Sequence, residues 1–247
     1  MSMFELRVRC VSMNQAAATH SAIPLDVGSY TAVEAARLLR TPALNIRRWM
    51  QGYDHGPKEK RRHSPPLWTP QLAMINDHLE IGFRDLVELR FVKAFLAAGV
   101  GLVAVRNCLE RARECVEDDH PLSTQRFRTD GRSIFLQTFE GSDEPKLIDL
   151  RSRQYVFNQV FERSFKDLDI EDDAVVRWRP YKGKASIVID PTRSFGQPIA
   201  ASFGIPTTVL SDAAKAEGSI ARAARLYDVP VAVVRDAVHF EEDLLAA

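Results

Sequence analysis

The chain has 247 residues, with 33 basic against 33 acidic and an apolar fraction of 45%. That length and apolar content suffice for a packed core and up to two modest domains. They leave no run near the ~20 apolar residues that a membrane-spanning helix needs. The opening MSMFELRVRCVSMNQAAATHSAIP lacks an apolar core followed by a cleavage site, so no secretory signal is expected. Cys10, Cys108 and Cys115 are too few for a disulfide framework, which points to a reducing cytoplasm. Cys108 and Cys115 lie seven apart on one predicted helix and are expected to face the same way. They could be metal ligands or small buried apolar side chains. With no CxxC or HxxxH beside them, the buried role is the simpler one.

Residues 1–28 read as a flexible segment, with a short edge strand at Phe4–Val11 and a linker at Asn14–Ser21. The first organised stretch is YTAVEAARLLRTPALNIRRWMQGY, Tyr30 to Tyr53. It predicts two short helices joined by a tight turn. Thr31 with Glu34 has the capping-box spacing, and Val33, Ala36 and Leu39 give the first helix an apolar face. Thr41 is placed to cap the second helix, with Pro42 at its first position. There Ala43, Ile46 and Met50 share a side with Trp49 next to them, leaving Asn45, Arg47 and Arg48 outward.

The following YDHGPKEKRRHSPP carries Lys58, Lys60, Arg61 and Arg62 in a Gly/Pro-punctuated loop. From Arg37 to Arg62 there are eight basic residues against Asp54 and Glu59, a local balance of +6 within a neutral chain. Such segregation suits phosphate contact. A helix pair with an apolar inside and a basic outside has the geometry that lays a helix in a DNA groove. The plainer alternative is an αα-hairpin with solvated arginines. His55 and His63 flank the loop and could add a protonation-dependent contact, or simply be solvated.

Leu67–Glu80 is a connector with one short helix expected near Pro70–Asn76. DLVELRFVKAFLAAG keeps Leu86, Leu89, Val92, Phe95 and Leu96 at helical spacing and ends at Gly99. A further helix is predicted over Leu102–Val116, with Val105, Leu109 and Ala112 inward and Arg106, Arg111 and Arg113 at or near the surface. Asp118, Asp119, His120 and Pro121 stop it.

QRFRTDGRSIFL then suggests a β-hairpin turning at Asp130-Gly131. Gly141–Pro145 reads as a turn and KLIDL as a third strand, followed by an amphipathic helix from Ser152 to Lys166. DLDIEDD lacks the glycine and terminal glutamate of a calcium loop and reads as a solvated acidic loop. AVVRWRP and ASIVID are predicted strands. Helices follow at Thr207–Glu217, Ile220–Tyr227 with Ser219 as cap, and from Pro230 to Leu245. The last three make a helix-turn-helix-like bundle whose face is not notably basic.

The expected fold is therefore mostly α with a smaller β-containing middle, an α+β chain. A winged helix-turn-helix would occupy residues 29–119, a strand-rich interaction segment with one helix 120–186, and a small helical domain 187–247. No Walker loop, GxSxG, HExxH or GxGxxG after a strand is present. No enzyme activity, cofactor or metal is expected.

Two resemblances sharpen this. Tyr30-Thr31, Glu34-Ala35-Ala36, Leu39, Thr41-Pro42, Ile46-Arg47, Trp49, the basic loop and DLVELRFVKAF…AGVGLVAVRNCL resemble the DNA-binding domain of the MerR family, over about Ser29–Glu117. The resemblance implies a second helix in the major groove and a wing on the backbone. Arg47 falls on the arginine that family uses against DNA, while Arg48 stands where an aromatic is usual. The family's long dimerising helix is not evident. Residues Ile187–Glu242 (GQPI…IPT, AEGS, IARAARLYDVP, VRDAVHFEE) resemble a small helical domain of VapB-type antitoxins. Ser202-Phe203-Gly204 replaces that family's Gly-Thr-Arg, so no role passes to an arginine there.

The combination implies a type II antitoxin. It would bind its own promoter through Thr41, Pro42, Asn45, Arg47, Arg48, Lys58, Lys60, Arg61 and Arg62, act as a homodimer and hold a PIN-like ribonuclease toxin. The alternative is a MerR-like, ligand-responsive transcription regulator with no toxin, its middle segment holding a small effector.

Overall fold

The computed structural model describes residues 26–140 and 150–246. Helices dominate, with small antiparallel sheets, as expected for an α+β chain. The expected strand at Phe4–Val11, the linker at Asn14–Ser21 and the turn at Gly141–Pro145 lie outside the described residues.

β1 (Tyr30–Thr31) leads into α1 (Ala32–Leu39), and α2 (Ala43–Gln51) follows after a three-residue turn. The capping box forms: Glu34 N–H donates to Thr31 Oγ1 at 3.2 Å, and Glu34 Oε2 accepts from Thr31 N–H at 2.8 Å. Ala32, Ala35 and Leu39 are the buried residues of α1, whereas Val33 is exposed. Val33 sits on the opposite side from Ala35 and Leu39, because those two are one turn apart and it is not. On α2, Ile46, Trp49 and Met50 are buried.

β2 (Tyr53–His55) pairs antiparallel with β3 (Arg62–Ser64), closing a hairpin over Gly56–Arg61. The connector to β4 (Glu80–Ile81) contains no helix, contrary to the expectation near Pro70–Asn76. Leu67, Trp68, Leu72 and Leu79 are buried along it, and β4 pairs with β1. What fixes it is the carboxylate of Asp85. Trp68 Nε1 (2.7 Å), Gln71 N–H (2.9 Å) and Gly82 N–H (2.9 Å) all donate to Asp85, and His120 Nε2 lies 2.8 Å away. A buried carboxylate with four partners has its desolvation offset, and the connector's backbone is thereby held extended instead of coiled.

α3 (Phe83–Ala97) is the central helix. Phe83, Leu86, Val87, Leu89, Phe91, Val92 and Phe95 surround it with buried apolar surface. α4 (Leu102–Val116) buries Val105, Cys108, Leu109 and Ala112. Cys115 is exposed, so the two cysteines of this helix do not share an environment. No group of three metal-ligating side chains occurs among the described residues.

Where a hairpin was expected at Asp130-Gly131, the chain forms α5 (Gln125–Glu140). Thr124 Oγ1 accepts from Phe127 N–H at 3.0 Å, a start signal that the turn dipeptide obscures. Phe127, Gly131, Ile134 and Phe135 recur at helical spacing and are all buried. Gly131 is there for closeness: a Cβ would come within 2.7 Å of the Phe161 ring. α6 (Leu150–Phe165) packs alongside, beginning two residues earlier than expected. Leu150, the last residue of the expected KLIDL strand, is already helical, and the rest of that strand lies outside the described residues. The central segment thus contains two long helices where one helix and several strands were expected. Phe91 and Phe95 of α3, Phe127 and Phe135 of α5, and Phe157, Phe161 and Phe165 of α6 form one aromatic cluster, with centroids 3.7 Å apart for Phe135–Phe157 and 4.8 Å for Phe91–Phe165. One core therefore joins the front of the molecule to its middle.

The acidic stretch expected to be a loop is half strand. β5 (Leu168–Glu171) pairs with β6 (Ala174–Trp178) through Asp172-Asp173, both at positive φ (48° and 67°), as a tight hairpin requires. β7 (Ile187–Ile189) and β8 (Pro198–Ala200) complete an antiparallel sheet in the order β5-β6-β7-β8. This sheet spans the 186/187 boundary. α7 (Thr207–Ala216), α8 (Ile220–Leu226) and α9 (Val231–Leu245) follow, with Ser219 Oγ accepting from Arg222 N–H and Pro230 immediately before α9. Leu210, Ala214, Ala223, Ala224, Val234 and Ala237 form their own small core.

Candidate nucleic-acid interface

α2 ends where its last turn meets Gly52 at φ +77°, and a Cβ there would lie 2.5 Å from the Ser64 carbonyl. Glycine lets the hairpin fold back against the end of α2. Leu67 N–H donates to Trp49 O at 2.8 Å and holds the returning strand there. The Arg48 guanidinium lies 5.3 Å from the Tyr53 ring centroid, linking α2 to β2 by a cation–π contact. Arg106 of α4 donates to the Pro65 and Pro66 carbonyls at 2.8 and 2.9 Å, and Arg113 donates to Leu67 O. The base of the hairpin is thus braced from two helices.

On this scaffold Arg47, Arg48, Lys58, Lys60, Arg61 and Arg62 are all exposed, and none forms an ion pair among the described residues. The nearby Asp54 is engaged by His63 Nδ1 at 2.8 Å across the hairpin. Asn45 is half-buried and Pro42 exposed. Two details differ from the sequence expectation. Thr41 does not cap α2; its hydroxyl donates to Leu39 O at 3.1 Å, and Pro42 is the residue before the first helical position. The carbonyl of Pro42 instead opens the helix by accepting from Asn45 N–H at 2.9 Å.

Arg37 and Arg40, counted in the local charge, turn the other way. Arg37 pairs with Glu241 of α9 at 3.6 Å, and Arg40 Nη2 donates to Asp243 O at 3.3 Å. They fasten α1 to the C-terminal helix, so the basic surface reduces to six residues. Arg106 and Arg113, expected only at or near the surface, brace the hairpin base, and nothing in their spacing signals that role.

No helix among the described residues is long and apolar enough to cross a membrane. No protein-family profile matches the chain. It is 29% identical over 225 residues to the Mycobacterium tuberculosis protein named "Putative antitoxin VapB45", covering 86% of this chain and 93% of that relative. The X-ray crystal structure of Rv2018 from Mycobacterium tuberculosis matches it with a TM-score of 0.67 at 27% identity, over 88% of this chain and 98% of that one. Both similarities run through most of the chain and through nearly all of each relative.

Proposed function

We propose that the protein is a type II antitoxin that binds its own promoter and neutralises a PIN-like ribonuclease toxin. The observation that carries this reading is the likeness to the VapB45 relative over 86% of this chain, joined to six exposed cations on α2 and the β2–β3 hairpin that have no acid partner among the described residues. Unpaired cations on a short helix and a braced hairpin suit the release of counterions from a duplex. Asn45, Arg47 and Arg48 project from α2 toward base edges and phosphates, with Pro42 and Thr41 at its open end. Lys58, Lys60, Arg61 and Arg62 grip the backbone. A two-fold dimer would read an inverted repeat, with half-sites about one helical turn apart or a multiple of it.

The C-terminal unit supplies protein contacts. Phe195, Phe203 and Leu226 are exposed there, apolar surface of the kind that interfaces bury. Inhibition needs only that a segment cover or enter the acidic, metal-dependent nuclease site; an arginine or lysine can do so by pairing with its carboxylates or displacing its metal.

Co-expression with the neighbouring gene product tests the antitoxin half: cells carrying both should grow where cells carrying the neighbour alone do not. Promoter binding is tested by mobility shift. Arg47→Ala/Arg48→Ala should weaken it at least about tenfold and flatten its salt dependence. Equal growth with and without this chain removes the toxin partner. Unchanged affinity in the double variant removes the DNA surface.

A further inference from the structure

Away from the hairpin, a second cationic feature lies in the middle of the molecule. A cavity of about 570 Å³ opens between α5, α6 and the start of the sheet. Arg128 comes from α5, Arg163 from the last turn of α6 with Lys166 just past its end, and Arg179 follows β6. Four cations thus converge from three separate segments. One acid lines the cavity with them, Glu162, and it is already paired with Arg132. The formal charge of the lining is therefore +3. Arg128, Arg163 and Lys166 form no ion pair among the described residues. Arg179 gives Nη2 to Asp169 at 2.8 Å, but its Nε is buried with no hydrogen-bond partner among the described residues. Phe161 and Phe165 also line it, and the Arg128 guanidinium lies 6.0 Å from the Phe165 ring centroid.

An ordinary solvated face does not gather its cations around a concavity, and it does not leave a guanidinium N–H buried and unmet. A carboxylate or a single sulfate would neutralise only part of a +3 lining. The two uncommitted guanidinium forks of Arg128 and Arg163, the Lys166 ammonium and the remainder of Arg179 suit several phosphoryl groups held side by side, and the volume is that of a small-ligand site rather than a protein groove.

We propose that this cavity is a binding site for a small polyphosphate-bearing ligand, a nucleoside di- or triphosphate or a free linear polyphosphate. The site borders the core that also carries α3 and α4. The inference is independent of the toxin and promoter assignments.

The test is calorimetric titration of the full chain with sodium tripolyphosphate, with ATP and with inorganic phosphate at low salt. The expected result is saturable binding, one per chain, with tripolyphosphate at least about tenfold tighter than phosphate. Arg163→Ala/Lys166→Ala replaces two exposed residues and should weaken binding at least about tenfold with the melting temperature unchanged. Arg47→Ala/Arg48→Ala should leave it intact. ATP tighter than tripolyphosphate identifies a nucleotide, and equal affinity identifies the polyphosphate alone; both support the site. No saturable binding at millimolar ligand overturns it, as does equal binding by the cavity variant or loss in the α2 variant instead. Loss of a co-purifying protein from the cavity variant, with no polyphosphate binding by the parent chain, overturns it in favour of a protein interface.

Discussion

The hydroxyl of Tyr30 donates a 2.7 Å hydrogen bond to the carbonyl of Gly196, 166 residues away, and so ties the strand that opens the helix pair to the loop before β8. Burial, with Glu34 and Asp190 nearby, pushes the tyrosine pKa up, so the hydroxyl stays protonated and a donor at neutral pH. Gly196 sits at φ +80°, and a Cβ there would meet the Tyr30 hydroxyl oxygen at 2.3 Å. Tyr30→Phe leaves a buried carbonyl unpaired and should cost about 1–2 kcal/mol. Gly196→Ala adds backbone strain to a clash and should cost about 2–4 kcal/mol. Chemical denaturation measures both. A Gly196→Ala effect within the range of an ordinary surface substitution, about 0.5 kcal/mol, would remove this contact from the list of what holds the two ends together.

Glu88 presents the opposite electrostatic case to Asp85. Its Oε1 accepts from Ser123 N–H at 3.0 Å, but Oε2 is buried with no partner among the described residues. Burial outweighs the nearby Arg84 and holds its pKa well above the usual carboxylate range. A folded-state pKa raised above the unfolded one means the folded chain keeps a proton that the unfolded chain loses. The stability due to this proton is complete below about pH 4.5 and declines as pH rises toward the folded value. Glu88→Gln keeps the acceptor for Ser123 and needs no proton. It should therefore be more stable than the parent by about 1–3 kcal/mol at pH 8, with the advantage shrinking toward pH 4. Denaturation of both proteins across that range checks the difference. A gap that widens as pH falls contradicts the assignment of a neutral Glu88.

Elements whose ends carry their own chemistry were legible in the sequence. Thr31 with Glu34, Gly99, Ser219 and Pro230 each mark an end that the structure keeps. The failures share a cause, which is tertiary packing that one segment cannot reveal. Asp130-Gly131 is a strong turn signal in isolation, yet the glycine serves to admit Phe161 of another helix. The Pro70–Asn76 connector is extended because Asp85, which lies beyond it, claims Trp68 and Gln71. At the candidate interface, charge segregation singled out a stretch whose later cations are exposed, but Arg37 and Arg40 turn to α9, a partner about 200 residues downstream that charge counting ignores. The cavity of Arg128, Arg163, Lys166 and Arg179 had no local signature at all, because its cations come from separate segments.

The two cysteines of α4 should behave as different reagents. Cys108 is buried, and burial together with Glu88 pushes its thiol up to about 12, while Cys115 is exposed. The thiolate is the reactive form, so access and pKa act in the same direction. In a Cys10→Ser background, a thiol reagent at pH 8 should label one site rapidly and the second only as the protein unfolds. Mass spectrometry of the labelled peptide should place the fast site at Cys115. Rapid labelling of both would mean that α4 leaves the core far more readily than its packing implies.

Arg106 separates bracing from direct contact. Its guanidinium holds the Pro65 and Pro66 carbonyls, and neither proline has an N–H with which to fix that turn by itself. These bonds are exposed, so Arg106→Ala should change global stability by less than about 1 kcal/mol. The hairpin base would nonetheless lose the Arg106 half of its support from α4, leaving only Arg113 on the Leu67 carbonyl, and a loosened hairpin must be ordered again on binding. If the basic surface binds promoter DNA as proposed, affinity should fall about three- to tenfold. The salt slope should stay as it was, because no phosphate contact is removed. Arg47→Ala, by contrast, should lower both affinity and slope, the slope by about one. Binding isotherms at several salt concentrations distinguish the two. A slope that falls in Arg106→Ala as it does in Arg47→Ala makes Arg106 a phosphate contact rather than a brace.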